Sequence, residues 1–82
     1  VTYPVVKITW EDHCSSDSAE WENLETMLEE LKASEHIIEN VGFLLHQDAT
    51  HLYVAGCWDK TGGHVGETYK IIRTTVKNIE FL

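Results

Sequence analysis

The chain has 82 residues, 43% of them hydrophobic, with three Trp, three Tyr, two Phe and a single Pro. This length supports one domain with one small core, since a second core would leave too little chain to bury apolar surface in each. Fourteen acidic residues against six basic ones give a net charge of −8, which disfavours a long nucleic-acid duplex because non-specific binding relies on Lys and Arg neutralising phosphates.

That acidity leaves room for a local site that takes one nucleotide. It also suits a nucleic-acid mimic, or a partner with a basic groove. No apolar stretch approaches the roughly 20 residues needed to cross a bilayer. Val1 to Trp10 lacks the basic start and apolar run of a signal peptide, so the expected setting is cytoplasmic. Cys14 and Cys57 then read as reduced thiols, and neither belongs to a CxxC motif.

Val6, Ile8 and Trp10 alternate with polar neighbours, the period of a half-buried first strand, with Pro4 at its start. The polar run from His13 to Ser18 reads as a loop into a helix cap, with Asp17 and Glu20 at capping-box spacing. Trp21, Leu24, Leu28 and Leu31 follow at three- and four-residue steps with Met27 at the edge. They predict an amphipathic helix over about Ala19 to Lys32, with Glu20, Glu22, Glu25, Glu29, Glu30 and Glu35 on or beside it. A stripe of this kind is expected to lie on the sheet face bearing Val6, Ile8 and Phe43.

From Ile37 onward the pattern is β. Val41, Phe43 and Leu45 alternate, then Gln47 to Thr50 form a four-residue hairpin loop before Leu52 and Val54. A turn at Asp59–Gly63 leads to a strand over Val65 to Ile72, Arg73–Thr75 interrupt it, and a last strand spans Val76 to Phe81. The predicted fold is a single α+β domain over residues 1–82. It is a five-stranded antiparallel sheet or small bent barrel, with the helix between the first and second strands.

Two stretches carry a family resemblance. Val41-Gly42-Phe43-Leu44-Leu45-His46-Gln47-Asp48 is similar to the first Sm motif, with Gly, a Leu two positions on and an Asp six positions on. Ile71 to Leu82, with Arg73 after two apolar residues, resembles the second. Thr74 stands where that motif has Gly, and the Asn expected after the Asp is missing, with His51 near its place. The resemblance implies an Sm-like barrel whose subunits join edge to edge in a ring. It also implies a ligand site in which Arg73 contacts a phosphate, Asp48 a base edge, and His51 or Tyr53 stacks on the base.

The whole chain further resembles small bacteriophage- and prophage-encoded proteins, through Trp10, Asp12, Cys14, Val41-Gly42-Phe43-Leu44 and Val76 to Leu82. That resemblance implies a phage accessory protein that acts in the host cytoplasm by binding and blocking a host component.

The residues themselves carry no catalytic signature. Gly62-Gly63 with Gly66 marks a turn rather than a phosphate-cradling loop, and Ser15-Ser16 has no base. No enzyme activity, cofactor or metal is expected. His46 and His51 are expected to face each other across the hairpin, with Cys57 and His64 flanking the next turn. Scarcity of cations singles out Arg73: Lys7, Lys32 and Lys60 fall on a strand exterior, a helix end and a turn tip. Trp58, beside the Asp59 turn, is expected to be available to a ligand or partner. The expected function is a non-catalytic accessory protein that sequesters a nucleotide or nucleotide-derived signal against host defence, as a homo-oligomer. The alternative is an acidic protein-interaction module that inhibits a host protein through the glutamate face of the helix.

Overall fold

The structure, a computed structural model, describes residues 2–13 and 21–82. Its elements in chain order are strand β1 (Val5–Asp12), helix α1 (Leu24–Ala33), strands β2 (His36–Gln47), β3 (His51–Asp59) and β4 (His64–Ile72), a 3₁₀ turn (Arg73–Thr75) and strand β5 (Val76–Phe81). The five strands form one antiparallel sheet in the order β4-β3-β2-β1-β5. Five strands and a helix between the first two stand as the alternation indicated. The sheet is open, with β4 and β5 as its edges, so a barrel closed within one chain is not formed.

One face of the sheet carries the core. Val6 and Ile8 of β1, Leu44 of β2, Leu52 and Val54 of β3 and Ile71 of β4 form one buried cluster, with Trp10, Val76 and Ile79 packed against it. A single sheet buries one of its own faces only by curling, so strands at both ends of the order meet over this cluster. Gly42 sits on the same face, opposite Val6. A Cβ there would lie 2.5 Å from the Ala55 carbonyl oxygen and 2.9 Å from Val54 Cγ1. Only a glycine lets β2 and β3 approach this closely.

Two irregularities set which side chains face inward. Between Leu44 and His46 the β2–β3 register shifts, with Leu44 opposite Val54 and His46 opposite Tyr53. Leu45 is thus the extra residue of a β-bulge, which bends the strand and turns the faces over. Plain alternation assigns Phe43 and Leu45 to the core, whereas the bulge puts Leu44 there. The expected pairing of His46 with His51 fails for a separate reason. The Asp48 N–H donates to the His51 carbonyl at 3.0 Å, so the turn is tighter than the expected Gln47–Thr50 loop, Gln47 pairs with Leu52, and Tyr53 takes the place opposite His46. A second shift lies between Thr9 and Trp10 in the β1–β5 pairing.

The helix departs most from expectation. Asn23 caps it, its side chain accepting from the Thr26 N–H at 3.1 Å. The helix begins at Leu24 rather than near Ala19; Asp17 and Glu20, the expected capping box, lie outside the described residues. No residue of α1 is buried. Trp21, Leu24, Leu28 and Leu31 are all exposed, so the stripe does not rest on the sheet, and Phe43, paired with Val5, is not on the face that carries Val6 and Ile8. That face is already filled by residues of the curled sheet itself.

Candidate functional site

The β2–β3 hairpin and the 3₁₀ turn meet at one end of the sheet. Asp48 opens the hairpin loop, where its Oδ1 accepts from the Thr50 N–H at 2.9 Å, the Thr50 hydroxyl at 3.0 Å and the His51 N–H at 2.8 Å. Its Oδ2 accepts from the Tyr53 hydroxyl at 3.3 Å. Aspartate supports a turn in this way because its short carboxylate reaches the backbone two and three residues on. The bonds from Thr50 and His51 hold the Asp48 carboxyl well below the usual carboxylate range. This carboxylate is therefore committed to the loop, whereas the resemblance gives it a ligand's base edge.

Arg73 follows β4 at the first position of the 3₁₀ turn. Its backbone N–H donates to the Thr50 carbonyl at 2.8 Å. Its Nε donates to the Asp48 carbonyl at 2.8 Å, and its Nη2 to Gln47 Oε1 at 2.9 Å. These acceptors are all neutral. Among the described residues the ion pairs engage Lys7 with Glu39 and Glu80, and Lys77 with Glu11, while His13 Nδ1 lies 3.6 Å from Asp12, and none engages Arg73. A guanidinium has five N–H donors. The half-buried Arg73 is thus oriented by the hairpin with its charge uncompensated by any ion pair among these residues.

Tyr53 lies beside this pair, and its ring is bordered on three sides. His46 stands 5.5 Å away, His51 6.1 Å, and Lys70 Nζ lies 5.9 Å from the ring centroid. The pairings His46–Tyr53 and Tyr53–Lys70 place these three side chains in one row across β2, β3 and β4. Burial, followed by the Asp48 charge, raises the Tyr53 phenol above its ordinary value. His46, Gln47 and Lys70 are the neighbours that sequence reasoning missed as site residues. The tight turn closed between Asp48 and His51, which brings His46 opposite Tyr53, has no residue signature in the alternation.

The structure thus gathers Arg73, Asp48, His51 and Tyr53 at one end of the sheet. Trp58 stands apart at the other end of β3, roughly 23 Å away at strand rise. There it packs edge-on against Tyr3 at 4.8 Å and Phe43 at 5.7 Å, with Lys60 Nζ 5.4 Å from its ring. Cys57 pairs with Gly66 and His64 with Asp59, so these two do not face each other. Cys57 is a free, exposed thiol, and Cys14 lies outside the described residues. No group of three or more metal-ligating side chains converges among the described residues.

Behind the 3₁₀ turn a groove of about 320 Å³ runs between β1 and β4. Trp10, Ile71, Ile72 and Thr75 line it together with Glu11, Asp12, His13 and Lys70. Its size falls at the lower end of small-ligand sites. No helix among the described residues is long and apolar enough to cross a membrane. No protein-family model, no curated protein and no solved structure matches the chain.

Proposed function

We propose that this protein is a non-catalytic binding module that sequesters a nucleotide or nucleotide-derived signal at the Arg73 end of the sheet. The observation that carries the reading is Arg73 itself. It is an oriented guanidinium held by neutral acceptors, on a chain whose net charge is −8. A guanidinium set in this way meets a phosphate with two parallel donors and loses little side-chain freedom in doing so. Tyr53 and His51 supply ring faces for a base, and the groove behind the turn offers a second apolar seat. Asp48 acts as a scaffold that shapes the loop, and Trp58 takes no part.

The finer fold reading, an Sm-like bent barrel, belongs to the same proposal. A curled sheet with Arg73 at a short turn before the last strand, and with β4 and β5 unpaired at its edges, supports it. In this reading the edges of neighbouring subunits join and close a ring, since exposed apolar edge residues such as Tyr69 and Phe81 invite pairing. A phage accessory protein that withdraws a host defence signal fits such a module. Mass spectrometry of protein purified from cells, native and then denatured, tests the reading by finding a retained phosphate-bearing small molecule. A ligand-free protein that also binds no mono-, di- or cyclic nucleotide at millimolar concentration would remove it.

One observation favours the alternative, an acidic module that inhibits a host protein. The glutamates at 25, 29 and 30 all stand exposed on a helix that contributes nothing to the core. Reversing their charge separates the two readings. It abolishes inhibition of a basic partner, and it leaves nucleotide binding at Arg73 unchanged.

A further inference from the structure

Among the described residues, none buries the apolar stripe of α1. Trp21 is 103% exposed, Leu24 78%, Leu28 47% and Leu31 43%. Isolated helices shorter than about 12–15 residues are marginal in water, and α1 has 10 residues, none of them buried. The radius of gyration is 16.9 Å with a long axis of 56 Å, against about 12 Å for a compact domain of this length. We propose that a second copy of this chain covers the stripe. The two α1 helices pack antiparallel, with Leu28 against its own counterpart at the two-fold axis.

Spacing, charge and area each point to a second copy as the occupant. Leu24, Leu28 and Leu31 take the d, a and d positions of a heptad, the seam of a two-helix pair. In that frame Glu25 and Lys32 are the two positions flanking the seam on one side, and they carry opposite charges. Centring the pair on Leu28 sets Glu25 of one copy beside Lys32 of the partner subunit, twice by symmetry. Glu29 and Glu30 point away from the seam and stay in water. A basic partner protein would leave Lys32 facing like charge, whereas a second copy satisfies it.

Antiparallel packing also opposes the two helix dipoles favourably. Trp21, just ahead of the Asn23 cap, then lies over the C-terminal end of the other helix. The four apolar side chains offer about 500 Å² per copy, hence about 1,000 Å² for the pair, which reaches the size a specific interface has to clear. This contact is separate from the sheet edges and from the Arg73 end.

Site-directed crosslinking of the full chain tests the pairing. In a Cys14→Ser, Cys57→Ser background, Leu28→Cys should give a disulfide-linked dimer on mild oxidation. Glu29→Cys, on the outward face, should not. Sedimentation equilibrium supplies the second measurement. Leu28→Glu should raise the dissociation constant of self-association by roughly tenfold or more. Glu25→Lys should weaken association, and Glu25→Lys with Lys32→Glu should restore it. Leu28 is half exposed, so these variants should keep the wild-type β-sheet circular dichroism. Equal crosslinking at 28 and 29, or a mass unchanged by both Leu28→Glu and Glu25→Lys, would overturn the proposal. The latter result would assign any self-association to the sheet edges instead.

Discussion

Gly42, Glu67 and Asp48 each bear on the stability of the sheet by a different physical means. At Gly42 the obstruction to a side chain is backbone, the Ala55 carbonyl, which cannot swing aside. Gly42→Ala should therefore cost about 1–3 kcal/mol, the range for overpacking, read as a lower urea midpoint with unchanged slope. Glu67 has φ 52° in the middle of β4, with its side chain folded over Gly56. A left-handed residue other than glycine costs about 1–2 kcal/mol, and glycine's own entropy offsets part of that. Glu67→Gly should raise unfolding stability by about 0.5–1 kcal/mol, and no gain would show that the Gly56 contact compensates the strain. Asp48 is ionised in the folded state at pH values where a free aspartate takes up a proton. Its folded pKa is depressed, so its stabilisation is fully present above the unfolded value of about 3.9 and is lost as pH falls toward the folded value. Asp48→Ala should lower stability at neutral pH and flatten the fall in stability below pH of about 4. A wild-type slope in that variant would assign the acid sensitivity to other carboxylates.

The strands and the helix divide sharply in what they contribute. Leu52 has no exposed surface and sits in the six-residue cluster, whereas Leu28 lies nearly half in solvent. Leu52→Ala should cost about 2–5 kcal/mol. Leu28→Ala should change the unfolding free energy by less than about 0.5 kcal/mol at protein concentrations too low for self-association. A large loss at Leu28 under those conditions would mean that α1 packs on its own sheet. The alternation of Val6, Ile8, Leu52 and Val54 made the strands legible, and the Arg73–Thr75 interruption and the Asp59–Gly63 turn fell where the sequence placed them. Faces beyond the Leu45 bulge were not legible, because an inserted residue leaves the composition of a strand unchanged and alters only its phase. The helix stripe was legible as a stripe. What it rests on was not, since periodicity records that a face is apolar and is silent on which surface covers it. Arg73, Asp48 and His51 were brought together through the resemblance. The turn bonds that commit Asp48 to the loop, and the Tyr53 row, came from the structure alone.

Over the molecule as a whole, charge and shape pull in different directions. A net charge of −8 repels extended polyanions. The exposed ion pairs of Lys7 and Lys77 contribute little to stability. They do remove two of the few cations from competition for an anion. Lys32, Lys60, Lys70 and Arg73 are left without an ion pair among the described residues, and of these Arg73 and Lys70 lie near Tyr53 at one end of the sheet. Binding there should weaken as salt rises, by a shallow dependence that reflects one or two neutralised phosphates rather than the steep one of a duplex-binding surface. The most direct test is calorimetric titration of mono-, di- and cyclic nucleotides into the wild type and into Arg73→Ala at matched ionic strength. The wild type should bind at least one class. The variant should bind it more weakly by about 1.5–3 kcal/mol, the range for hydrogen bonds to charged groups, with the fold retained. Equal affinity in the two proteins, or no heat from any nucleotide at millimolar concentration, would contradict a nucleotide site at Arg73.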